Sequence, residues 1–122
     1  MTYYKDAGFR ACVGVAIAPD KSYALVGNFS GHGGGAGLPG RRGSIGKIDL
    51  HTCAVSFITD PGINGCEGVA IAHDGSFALF ANNMGGNIGR VDLRTNVVSY
   101  PYNGVRDVYG LDIAPASSSL YW

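Results

Sequence analysis

Short apolar runs separated by polar turns recur along the chain, and one such arrangement occurs three times. The segments 14–26 and 68–80, and more loosely 110–122, each contain an apolar run, a polar turn and a second apolar run. Two runs of this length joined by a turn of the Pro-Asp or His-Asp type are typical of a β-hairpin. We therefore expect the same hairpin three times.

The spacing of the copies defines a repeat. Gly14 and Gly68 are 54 residues apart, and Gly68 and Gly110 are 42 apart. A glycine-rich insertion at 30–43 accounts for the longer first interval. A unit of this length holds four strands of about five residues with short turns. In the second unit the pattern predicts strands at 68–72, 77–81, 87–93 and 97–102.

The same pattern predicts an all-β chain, because no apolar period of 3.6 residues runs long enough for a helix. Matching the ends of the chain to the repeat divides it into four parts. We expect the end of a preceding unit at 1–13, a first unit at 14–59, a second at 60–102 and the inner half of a third at 103–122. Eleven strands are predicted in total.

The repeat resembles the blades of NHL-type and YVTN-type β-propellers. The resemblance lies in the glycine-led first strand, in the Asp-Gly-Ser turn at 74–76, and in Asn-Ile-Gly-Arg-Val-Asp-Leu at 87–93, with a near copy at 44–50. It implies blades of four antiparallel strands. The chain would supply about two and a half to three blades, which is incomplete as a single closed propeller, since propellers close with about four to eight blades.

Open strand edges need a cover, because an unpaired edge is a template for association. Three arrangements are open. The segment is part of a longer propeller, copies associate into a closed ring, or a head-to-tail contact propagates into a filament. The resemblance thus favours a structural or protein-interaction scaffold that is self-assembling or part of a longer propeller.

Composition narrows the partners. Nine basic residues balance nine acidic ones, so no basic patch for nucleic acid is indicated, and no apolar run is long enough to span a membrane. Three cysteines, an odd number, leave at least one unpaired within the chain. The compartment is not determined, with an extracellular location favoured over a cytoplasmic one. Asn28-Phe-Ser30 is an N-x-S sequon, which makes Asn28 a candidate glycosylation site on an exposed rim.

Propeller topology gathers the loops between units, the insertion and the ends of the second strands at one rim. Propeller hydrolases of the lactonase type hold a metal with Glu, Asn and Asp there, so Glu67, Asn82 and Asp107 suggest a metal-dependent hydrolase as the alternative function. The competing interpretation is that such residues cap turns. We favour it and expect no enzyme activity, no catalytic or metal-binding residues and no cofactor. The candidate rim and interaction residues are His32, Arg41, Arg42, Glu67, Asn82 and Asp107.

Overall fold

The computed structural model describes residues 9, 11–29, 43–105 and 107–115. Within these ranges it contains eight β-strands and no helix, which confirms the all-β prediction. The strands are β1 (Cys12–Ile17), β2 (Tyr23–Asn28), β3 (Ser44–Asp49), β4 (Val55–Ile58), β5 (Cys66–Ile71), β6 (Phe77–Asn82), β7 (Asn87–Asp92) and β8 (Val98–Asn103).

The strands form two antiparallel sheets of four, each in sequence order. We call β1–β4 blade 1 and β5–β8 blade 2. In both blades the pairing of the first two strands shifts at the same place, between Cys12 and Val15 and between Cys66 and Val69. The shared irregularity supports the repeat read from the sequence, because a bulge occurs where the local sequence requires one. No helix able to span a membrane occurs in the described part of the chain.

The turns inside the blades repeat as well. Asp74 Oδ1 accepts hydrogen bonds from the Ser76 amide at 3.0 Å and the Ser76 hydroxyl at 2.6 Å, and Asp20 does the same with Ser22 at 2.9 and 2.6 Å. These bonds favour the ionised carboxylate, so the pKa of each aspartate is lowered, chiefly by the serine hydroxyl. The polar turn that defines the repeat is therefore an Asx turn.

The core lies between the two blades. Buried apolar side chains from both sheets meet there, and the ring of Phe80 fills the space above Gly89. In blade 1 the position equivalent to Phe80 is the smaller Val26, and Phe9 from the preceding segment lies over the equivalent Gly46 instead. The buried cluster comprises Leu25, Ile45, Ile58, Ile63, Cys66, Val69, Ala78, Phe80 and Val91.

The first strands of successive units stack through their leading glycines. A Cβ on Gly14 would lie 2.8 Å from Gly68 Cα, and a Cβ on Gly68 would lie 3.0 Å from Gly110 Cα and 2.5 Å from Tyr109 O. The amide of Gly68 also donates to Tyr109 O at 2.8 Å. At Gly14 and Gly68 the neighbouring backbone is too close for a side chain, which explains why the first two copies of the repeat begin with glycine.

The third unit differs from the prediction in one respect. Residues 110–115 carry no strand, although a strand was expected from Gly110 onward. A strand is defined by a ladder of paired backbone groups, and the predicted hairpin partner, in 116–122, lies outside the described residues. The end of a preceding unit, expected at 1–13, also lies outside the described residues except for residues 9 and 11–13. Gly110 nonetheless takes the place beside Gly68 that the repeat assigns to it.

Candidate functional site

One rim of the two-blade unit gathers the loops that the repeat pattern placed there. We call the upper rim the segments 60–65, 82–87 and the third segment made of residues 103–105 and 107–108. The Asn83 amide donates to Gly65 O at 3.1 Å, the Met84 amide to Asn64 O at 3.0 Å and the Val105 amide to Gly86 O at 3.0 Å. The Asn83 side chain donates to Val108 O at 2.9 Å. Hydrogen bonds therefore hold the three segments to one another.

Asn82 ties this rim together from inside. Its side chain is 1% exposed. Its Oδ1 accepts from the Asn64 amide at 2.6 Å, and its Nδ2 donates to Gly62 O at 2.9 Å and to Asn87 Oδ1 at 2.7 Å. With these bonds the amide caps the loop between the blades, as expected for a buried polar group. Its oxygen faces the chain rather than a ligand.

Asn28 is the blade 1 counterpart of Asn82, and it too is buried. Its Nδ2 donates to Ser44 Oγ at 2.9 Å, where Ser44 stands in the place of Asn87. The sequence placed Asn28 on an exposed rim, and this placement is wrong. A glycan is attached through the same Nδ2, so the burial and hydrogen bonding of this atom disfavour the predicted glycosylation of Asn28, which stays a prediction.

The other predicted rim residues do not share one environment. Glu67 is buried in β5, and Asp107 is exposed in the upper rim with a positive φ of 55°. His32, Arg41 and Arg42 lie outside the described residues. Among the described residues, no three His, Cys, Asp or Glu side chains are grouped so as to hold a metal ion. Asn82 uses both its amide oxygen and its amide nitrogen in hydrogen bonds to the chain.

The sequence did not single out a polar contact between the loop joining the blades and the outermost strand of blade 2. Tyr100 donates through its hydroxyl to Asp60 Oδ2 at 2.6 Å, and the Gly62 amide donates to the same oxygen at 2.9 Å. Burial of the phenol, and secondly its bond to the carboxylate, raise the pKa of Tyr100. The two residues are 40 positions apart, so no local pattern could have paired them.

The first strand of blade 1 carries three exposed apolar side chains. Val13, Val15 and Ile17 are 53%, 64% and 55% exposed. In blade 2 the residue equivalent to Val15 is Val69, which is only 6% exposed because blade 1 packs on it. We call Val13, Val15 and Ile17 the β1 face.

Blade 2 has a half-buried face of the complementary kind, which the described residues do not fully cover. Leu25 and Ile45 of blade 1 are fully buried against blade 2, whereas their equivalents Leu79 and Ile88 are only half-buried. A cation lies over an aromatic ring at the same place in each blade: Lys47 Nζ is 4.5 Å from the ring centre of Tyr23, and Arg90 Cζ is 4.6 Å from that of Phe77. We call Phe77, Leu79, Ile88 and Arg90 the blade 2 face.

No protein-family model and no curated protein matches the sequence. Solved structures do match. Hydrazine synthase of Kuenenia stuttgartiensis aligns with a TM-score of 0.69 and 18% identity over 93% of this chain. A chain in the crystal structure of a nidogen/laminin complex aligns with a TM-score of 0.73 and 15% identity over 92% of this chain.

Both of these structures contain β-propellers, so the fold is β-propeller-like, and the two sheets correspond to blades. At such identities the likeness concerns the fold alone, and it does not distinguish the NHL type from other propellers. The chain spans 29% of the matched hydrazine synthase chain and 39% of the matched nidogen/laminin chain.

Proposed function

We propose that the chain is a protein-interaction scaffold built from NHL-like propeller blades, which associates through its uncovered blade faces. One observation carries the proposal: the β1 face exposes three large apolar side chains, while Val69, the blade 2 equivalent of Val15, is buried by a neighbouring blade. An apolar blade surface is stable in water when another surface covers it. Association is thus the function that the geometry supports best.

Two kinds of partner fit this proposal. Further blades of a longer chain would cover both faces, and the greater length of the matched chains supports this arrangement. Alternatively, copies of the chain would cover each other and form a ring or a filament. Protein association also agrees with the nidogen/laminin structure, which is a complex of proteins. Balanced charge of nine basic and nine acidic residues leaves no net repulsion between copies.

The geometry gives little support to the alternative function, a metal-dependent hydrolase. Its proposed ligand Asn82 uses both atoms of its amide in hydrogen bonds to the chain, and Asp107 is exposed. A hard cation needs several converging oxygen atoms. The buried asparagines are better explained as the residues that hold the loops between blades in place.

Light scattering on the purified chain, over a series of concentrations, tests the scaffold. We expect a mass above that of a single chain, rising with concentration, with electron microscopy distinguishing rings from filaments. Addition of EDTA is the control and should leave the mass unchanged. A chain that stays single at every concentration and hydrolyses a lactone only with added Ca²⁺ would reject the scaffold in favour of the hydrolase.

A further inference from the structure

The contact between the two blades shows how the β1 face and the blade 2 face can pack on each other. On the blade 1 side Leu25 and Ile45 are fully buried, and on the blade 2 side Val69 and Phe80 are buried against them. The blade 2 face repeats the blade 1 side of this contact, because Leu79 and Ile88 are the equivalents of Leu25 and Ile45. The β1 face repeats the other side, because Val15 is the equivalent of Val69. Each chain therefore carries both halves of the same interface, uncovered and on opposite sides.

We propose that the β1 face of one copy packs on the blade 2 face of a second copy, in the register in which Val69 packs on Leu25. In that register Val15 of one copy takes the place of Val69, and Leu79 of the other takes the place of Leu25. The proposal rests on the scaffold function and names its partner surface. The contact is heterologous, so it closes into a ring or propagates as a filament.

A second copy suits these faces better than an unrelated partner, because equivalent surfaces already pack on each other in the contact between blade 1 and blade 2. The cation–ring pair Lys47–Tyr23 that borders the internal contact has its counterpart in Arg90–Phe77 at the blade 2 face. Side chains of the same type thus surround both contacts. An interface between copies can reuse packing that one chain already achieves internally.

The segment 107–115 borders the blade 2 face without completing its cover. Its backbone contacts the upper rim and β5: Val108 O accepts from the Asn83 side chain at 2.9 Å, and Tyr109 O accepts from the Gly68 amide at 2.8 Å. In the turn that follows β5, His73 Nε2 lies 3.1 Å from Ile113 O. Leu79 and Ile88, on β6 and β7, remain half-buried beside it. Tyr109 itself is 60% exposed and adds apolar surface on this side. The docking surface on this side therefore includes Tyr109.

Two variants with one disabled face each test the pairing. Val15→Asp places a charge on the β1 face, and Leu79→Asp places one on the blade 2 face. Either variant alone should run as a single chain in analytical ultracentrifugation, since every contact needs both faces. Mixed together, they should form a one-to-one dimer and nothing larger, because one intact face of each kind remains. Val97→Asp, at an equally exposed apolar residue preceding β8, is the matched control and should assemble like the wild type.

The outcomes separate this contact from the scaffold itself. Wild-type assembly that both face variants retain overturns the proposed contact and leaves the scaffold standing, and self-association of Leu79→Asp without a mixed dimer overturns it in favour of a symmetric β1–β1 contact. A wild-type chain that stays single overturns the contact between copies and leaves further blades of a longer chain as the arrangement of the scaffold. If Leu79→Asp loses its thermal unfolding transition, Arg90→Glu replaces it, because Arg90 lies over a ring at the surface rather than in the core.

Discussion

The first strands of the two blades have almost the same sequence and opposite surroundings. β1 reads Cys-Val-Gly-Val-Ala-Ile and β5 reads Cys-Glu-Gly-Val-Ala-Ile, a single difference at Val13 and Glu67. Val15 is 64% exposed, whereas its equivalent Val69 is 6% exposed. The comparison teaches that the neighbouring blade, rather than the strand's own sequence, decides burial in this fold.

The one sequence difference between the two strands is the opposite of what their solvent exposure would favour. The charged residue, Glu67, stands in the buried strand, and the apolar Val13 stands in the exposed one. A strand adapted to water would carry the charge on its exposed face, as edge strands commonly do. β1 is therefore composed like a strand that is covered by another blade, which supports the proposed contact.

A charge placed at Val69 or at its equivalent Val15 gives the largest predicted difference in the free energy of unfolding. Val69→Asp buries an unpaired carboxylate between the blades, and we expect it to lower the free energy of unfolding by about 4 kcal/mol or more. Val15→Asp places the same group in water, so at high dilution, where copies are apart, it should change this free energy by no more than about 0.5 kcal/mol. Urea unfolding followed by circular dichroism measures both. Equal losses in the two variants would contradict the assignment of β1 as uncovered.

The sequence predicts the strands of blade 2 closely because their alternation and turns are local. All four lie within two residues of their expected bounds at each end, and the turns at Asp20 and Asp74 form as the repeat indicates. The sequence pattern does not predict burial or pairing that depends on residues far away in the chain. Asn28 looks like an exposed sequon residue, yet it is buried because it caps the start of β3, and the pairing of Tyr100 with Asp60 depends on the packing of two units.

A glycine of β2 tests how closely the second blade approaches the first. A Cβ on Gly27 would collide with the carbonyl oxygen of Glu67 in β5. Gly27→Ala should therefore lower the free energy of unfolding by about 2–3 kcal/mol through overpacking. Gly110→Ala is the matched control, because no atom lies within 4 Å of its added Cβ and its φ is not positive. A Gly27→Ala variant as stable as the control in a urea series would show that the blades are further apart.

Tyr100→Phe makes blade 2 resemble blade 1, whose equivalent residue is Phe57. The change removes the hydrogen bond from the phenol to Asp60 Oδ2. We expect a loss of about 1.5 kcal/mol in the free energy of unfolding, the usual contribution of a hydrogen bond to a charged group. Phe57→Tyr is the reciprocal variant. It should bring no equal gain if the effect depends on Asp60.

The pH dependence gives a second measurement of the same contact. The folded chain raises the pKa of Tyr100 above its usual value, through burial first and then the bond to Asp60. Its contribution is therefore complete below the unfolded pKa of about 10 and is lost as the pH rises above it. Tyr100→Phe should flatten this alkaline loss of stability. An unchanged alkaline slope would show that Tyr100 does not hold its proton in the folded chain.

Cysteines 12 and 66 occupy equivalent positions and give the smallest predicted effect, which concerns reactivity rather than stability. Cys66 is fully buried, and burial raises its pKa to about 12, whereas Cys12 and Cys53 are exposed. Because the thiolate is the reacting species, a maleimide at neutral pH should label two thiols in the native chain and the third only in urea. Mass spectrometry of the labelled peptides identifies which thiols react.

The alkaline range distinguishes burial of Cys66 from slow access of the reagent. Since its folded pKa lies above the reference value of 9.0, Cys66 contributes stability that is complete below about pH 9 and lost between about pH 9 and 12. Cys66→Ala should flatten this loss, and Cys12→Ala, its matched control at the uncovered face, should flatten it less. Native labelling of Cys66 at the rate of Cys12, with no difference between the two variants, would mean that blade 1 does not cover β5. The contrast between the two strands would then be lost.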